Sequence, residues 1–168
     1  MTVCAECVKA QTPLAELVYS FAFADLDLAL SWNLGRAWSI ALARIRAGAL
    51  PELWSPADLA RWIGQYSDVD LAHVDHLPAD VVDSIGLAAD VDVTLYAPWL
   101  ELPADYVTRS TVLLDGNHRA ARALRDGRPF ASYFLSDAEL RSCLQSVATG
   151  PAAVLVVPHA FADRGATA

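Results

Sequence analysis

Ser110-Thr111-Val112-Leu113-Leu114-Asp115-Gly116-Asn117-His118-Arg119-Ala120-Ala121-Arg122-Ala123-Leu124-Arg125-Asp126-Gly127 joins three structural signals in one short stretch. Ser110–Leu114 is continuously apolar near its end, as in a central strand covered on both faces. Asp115-Gly116 has the composition of a tight turn. Asn117 to Asp126 then reads as a helix, with Gly127 placed just past its end. A buried strand that turns at once into a helix predicts a chain of mixed helix and sheet.

Working outward toward the C-terminus, Phe130–Leu135 is expected to return as a strand. Ser136-Asp137-Ala138-Glu139 has the form of a full capping box, opening a helix to about Ala148. On that helix Cys143 shares a face with Leu140, Leu144 and Val147 and reads as a small core residue. Ala153–Val157 is a last apolar strand, and residues 159–168 form a loose tail.

Toward the N-terminus the pattern becomes helical. Leu14, Leu17, Val18 and Phe21 have helical spacing over Pro13–Phe23, and Leu34, Trp38, Leu42 and Ile45 share a face of a helix over Gly35–Ala47. Ser55-Pro56-Ala57-Asp58 supplies a serine cap, a proline at the first helical position and an early acid, in front of Leu59, Trp62 and Ile63. Trp32, Trp38, Trp54 and Trp62 suit a packed core better than a ligand cage. Between these regions Val69–His76 reads as a strand, Pro78–Ile85 as a short helix stopped by Gly86, and Val91–Leu95 as a half-buried strand. The expected class is therefore α+β, with a helical N-terminal extension or subdomain over residues 1–66 and a core over 67–158.

The composition narrows the partners. The chain has 168 residues, is 55% hydrophobic and has a mean hydropathy of +0.31, which argues against disorder. No apolar run approaches the roughly 20 residues that span a bilayer, and the N-terminus lacks a basic segment followed by an apolar one, so a cytoplasmic protein is expected. The net charge of −8, from 12 basic and 20 acidic residues, argues against binding a nucleic-acid backbone. The exception is a local concentration of arginine at positions 119, 122, 125 and 128. Cys4 and Cys7 have the spacing of half a zinc site or a redox pair, but no second Cys/His pair completes it. His73, His76 and His159 are single or loosely spaced.

The turn at Asp115–Arg119 is where chemistry is expected. The first turn of a helix has backbone N–H groups without intrahelical partners and a partial positive charge. Gly116 lets the backbone approach a ligand closely, and His118 and Arg119 add side-chain donors, Arg119 as a planar fork suited to phosphate. The expected ligand is the phosphate of a nucleotide. Asp115 beside an anion makes sense as a ligand of Mg²⁺ or as a general base. The same residues also suit a plain structural turn, because Asp-Gly turns, Asn caps and solvent-facing arginines are common.

Val112 to Leu124, with Gly127 and the Phe130–Leu135 strand, resembles the ParB/sulfiredoxin superfamily, which binds nucleotide phosphates at a Gly-x-x-Arg helix start. The resemblance is good over residues 110–136, thin over 69–109, and does not extend to the first third. It implies a ParB/sulfiredoxin-like mixed sheet with flanking helices. Sulfiredoxins carry a reactive cysteine where this chain has Asn117, and partition ParB proteins continue into a helix-turn-helix domain, where one helix, a strand and a tail are expected here; neither role is therefore expected. The Asp-Gly-x-x-Arg form is closest to the free-serine kinases of the superfamily. That likeness implies binding of a nucleotide (ATP, ADP or CTP) with Mg²⁺ by Gly116, Asn117, His118, Arg119 and Arg122. Asp115 is the implied metal ligand, and Asp115 and His118 are the candidate catalytic residues. A separate carboxylate would activate the substrate hydroxyl, with Asp83, Asp92, Glu101 and Asp105 as unranked candidates. The implied function is a phosphotransferase or phosphohydrolase acting on a small hydroxylated molecule. The alternative is a nucleotide-sensing or protein-interaction module without catalysis.

Overall fold

A computed structural model describes residues 17–66 and 85–150, with side chains in the first segment described as far as Arg61. The expected elements at Val69–His76, Pro78–Ser84 and Ala153–Val157, the tail, Cys4, Cys7, Asp83, His73, His76 and His159 lie outside the described residues.

Seven strands and five helices alternate along the described residues, which makes the class α+β. Strands β1 (Val18–Phe23) and β2 (Leu28–Asn33) are joined through a single 3-10 turn and lead into helix α1 (Leu34–Arg46). Strand β3 (Glu52–Trp54) and helix α2 (Pro56–Tyr66) follow. Strand β4 (Gly86–Asp92), the short helix α3 (Val93–Tyr96), strand β5 (Arg109–Asp115) and helix α4 (Asn117–Arg125) come next. Strand β6 (Phe130–Leu135), helix α5 (Asp137–Ser142) and strand β7 (Leu144–Thr149) complete the order. The strands form a three-stranded sheet β1-β2-β7 and a four-stranded sheet β3-β6-β4-β5. In the larger sheet β4 runs parallel to β6 and antiparallel to β5.

Two apolar clusters sandwich the larger sheet. Leu87, Ala89, Val91, Val112, Leu114, Tyr133 and Leu135 point into one, which they share with Leu28, Leu30 and Trp32 of β2 and with Ala37 and Ala41 of α1. Ala88, Leu113 and Phe130 point into the other, with Trp54, Leu59, Ala120 and Ala123. The alternation along each strand follows from the two-residue period of the pleat. It also explains the unbroken apolar run at Val112–Leu114, since successive side chains enter different cores.

Several sequence expectations need correction. The helical spacing over Pro13–Phe23 gives way to strand β1 in its described part, paired antiparallel with β2 from Val18↔Asn33 to Phe23↔Leu28. Val18, Tyr19, Phe21 and Phe23 are β-branched or aromatic, and pairing with a fully buried neighbour decides the conformation of such residues. The expected helical extension thus contains β1, β2 and β3. It is joined to the rest of the chain, because β2 pairs with β7 and β3 with β6.

Strand β4 begins at Gly86 and ends at Asp92 rather than continuing to Leu95. The Asp92 carboxylate accepts from Thr94 N at 3.0 Å and Thr94 Oγ1 at 2.7 Å, a cap that opens α3. Strand β5 is buried on both faces as expected, yet among the described strands it is an edge of its sheet. On α1, Leu42 is 40% exposed, and Ala37 and Ala41 take the buried face. The helix opened by Ser136 stops at Ser142, and Leu144–Thr149 forms β7 against β2. Cys143, at the end of that helix, is a buried free thiol.

The Ser136 capping box forms as the sequence requires, with Glu139 Oε2 accepting from Ser136 N at 2.9 Å. Ser136→Ala is expected to cost about 1 kcal/mol, read as a fall of roughly 2–4 °C in Tm. Partial burial pushes the Glu139 carboxyl up, but the Ser136 N–H, Arg44 and the Ser136 hydroxyl together outweigh it and hold the group below its ordinary value. A carboxyl depressed by folding stabilises above its unfolded pKa and loses that contribution as pH falls. Acidification from about pH 6 to about pH 3 should therefore narrow the Tm gap between the natural protein and Ser136→Ala.

Candidate functional site

The site grows from the end of β5. Asp115 closes that strand opposite Leu87 in the ladder, and the chain then turns through Gly116, whose φ of 100° is left-handed. Only glycine enters that region at little cost. Space demands glycine as well: a Cβ on Gly116 would stand 3.1 Å from Arg119 Nη2, from Gly86 Cα and from the Phe130 ring. The start of β4 makes the matching approach. A Cβ on Gly86 would lie 2.6 Å from the Phe130 ring and 3.1 Å from the Asp115 carbonyl oxygen. Two glycine backbones and one buried phenylalanine therefore set the turn.

Helix α4 starts immediately after. Ala120 N donates to Gly116 O at 2.8 Å, the first bond of the helix, and Asn117 Nδ2 reaches back to Leu113 O at 3.2 Å. Ala120, Ala121 and Ala123 bury one side of the helix against the sheet, which leaves its opposite side to the arginines.

Asp115 is held at both oxygens. Oδ1 accepts from Gly116 N at 2.8 Å, and Oδ2 accepts from Trp38 Nε1 at 2.9 Å. Arg119 Nη2 stands 3.5 Å from that same Oδ2, with the Asp115 and Arg119 side chains 18% and 14% exposed. The guanidinium lies over the Gly116 backbone, because it is among the nearest atoms to the absent Cβ. The motif thus gathers Asp115, Gly116, Asn117, His118 and Arg119 at one partly buried turn.

Arg122 points elsewhere. Its Nε pairs with Asp126 Oδ2 at 2.9 Å, one turn toward the C-terminus of α4, where Arg125 and Arg128 also approach Asp126. The Arg122 hydrogen bond, then the charges of the three arginines, hold the Asp126 carboxyl below its ordinary value despite slight desolvation. The arginine concentration of the sequence therefore divides, with Arg119 at the turn and the others around one acid.

The Gly116 N–H takes one lone pair of Asp115 Oδ1, while Trp38 and Arg119 lie at Oδ2, so a Mg²⁺ ion at this carboxylate would share it with those donors. Among the described residues no cluster of three or more histidine, cysteine, aspartate or glutamate side chains could hold a metal ion.

Of the described carboxylates expected as substrate activators, Asp92 lies away from the turn, opposite Arg109 in the ladder. Asp92 caps α3 at the far end of β4, while Glu101 and Asp105 belong to the segment leading into the Arg109 end of β5. Six steps of strand, roughly 20 Å, separate that end from Asp115. A cleft of about 650 Å³ also opens there, lined by Arg44, Asp90, Arg109, Tyr133, Asp137 and Glu139. Its charges satisfy one another. Arg109 bridges Asp90 and Asp137 at 3.2 Å each, Thr111 donates to Asp90 at 2.6 Å, and Arg44 meets Glu139 at 2.9 Å.

Sequence reasoning missed Trp38, Gly86 and Phe130. Trp38 lies 77 residues before Asp115, and no local pattern links them. Among the described residues no helix is long and apolar enough to cross a membrane. In comparisons with known proteins, no family model, no curated protein and no solved structure matches the chain.

Proposed function

We propose that the chain binds a nucleotide through its phosphates at the start of α4, with Arg119 as the principal cation and the Asn117–Arg119 backbone as the cradle. The observation that carries this reading is the packing of the Arg119 guanidinium over the bare Gly116 backbone at a helix start. Donors of the first helical turn and a planar fork there converge on one small region, the chemistry that phosphate recognition uses. The resemblance of residues 110–136 to the phosphate-binding stretch of the ParB/sulfiredoxin superfamily supports the same reading.

Within it, the geometry favours a nucleotide-sensing module over phosphoryl transfer. Asp115 accepts the Gly116 N–H at Oδ1 and the Trp38 N–H at Oδ2, so a substrate hydroxyl would share the carboxylate with both donors. Transfer to a small hydroxylated molecule would need another carboxylate, and Asp92, at the opposite end of the β4–β5 ladder, is roughly 20 Å away.

Thermal unfolding with ATP, ADP, CTP and GTP tests binding. At about a hundred times its dissociation constant, the preferred nucleotide should stabilise by about 2.7 kcal/mol and raise Tm by roughly 5–10 °C. No shift with any of the four in a folded sample would overturn the proposal. Asp115→Asn separates the two readings. It is expected to keep nucleotide affinity within about threefold, since the amide oxygen still accepts from Gly116 or Trp38. Nucleotide hydrolysis or transfer that disappears in this variant would instead support the enzyme.

A further inference from the structure

We draw no further inference here: the strongest candidate, the cleft of about 650 Å³ at the Arg109 end of β5, pairs its arginines and carboxylates with one another, and nothing in the structure shows what would occupy it.

Discussion

Gly116→Ala is expected to lower Tm by roughly 5–15 °C and to remove phosphate binding with it. The left-handed φ of 100° costs a residue with a Cβ about 1–2 kcal/mol. Crowding against three neighbours at 3.1 Å adds about 1–2 kcal/mol, because two of them, Gly86 Cα and the buried Phe130 ring, cannot readily move. The third is Arg119 Nη2, the flexible partner. The new methyl should displace the guanidinium from the turn, so stability and binding fall together. Gly86→Ala should also destabilise, by about 1–3 kcal/mol, through its 2.6 Å approach to Phe130. Phe130→Leu should relieve part of that cost, so thermal unfolding of the double variant is expected to show less than the sum of the single effects. Full additivity would mean that the ring does not set the turn.

Arg119→Ala should reduce nucleotide affinity by about a hundredfold or more while changing the fold little. A guanidinium fork on phosphate makes charge-assisted bonds, each stronger than a neutral one, and losing two of them accounts for about 3 kcal/mol. The partly buried Asp115 left behind keeps its donors from Gly116 and Trp38, so Tm without ligand should fall by only a few degrees. Arg119→Lys should recover part of the affinity, since a point charge replaces the fork without its two-pronged geometry. Arg122→Ala gives the contrast. Arg122 is engaged with Asp126 a turn away, so its loss is expected to weaken binding by less than about threefold. Calorimetric titration of the three variants checks the order, and an equal loss in Arg119→Ala and Arg122→Ala would return Arg122 to the site.

The strand, turn and helix at residues 109–125 were legible because each signal is local. Apolar residues mark β5, Asp-Gly marks the turn, and alanine alternating with arginine marks α4. Ser136 and Glu139 were legible for the same reason, as a cap is completed within one helical turn. What the sequence hid depends on distant pairing. Leu17, Val18 and Phe21 have helical spacing, yet β2 captures Val18–Phe23 as an edge strand. Leu144–Thr149 continues a helical pattern but is taken by the opposite edge of β2. The same limit applies at the site. Asp115, Gly116 and Arg119 were found by their spacing, whereas Trp38 reaches them only through the fold, as do Gly86 and Phe130. Asp115, which the motif offers as metal ligand or base, takes one of its donors from Trp38, 77 residues earlier in the chain.

The central claim is that phosphate binds at the start of α4, and the most direct measurement follows backbone amide and indole resonances while inorganic pyrophosphate is added to the natural protein. The account predicts saturable shifts at Gly116, Asn117, His118 and Arg119 and at the Trp38 indole, lost in Arg119→Ala. Shifts confined to the cleft around Arg44 and Arg109, or none at all, would contradict it.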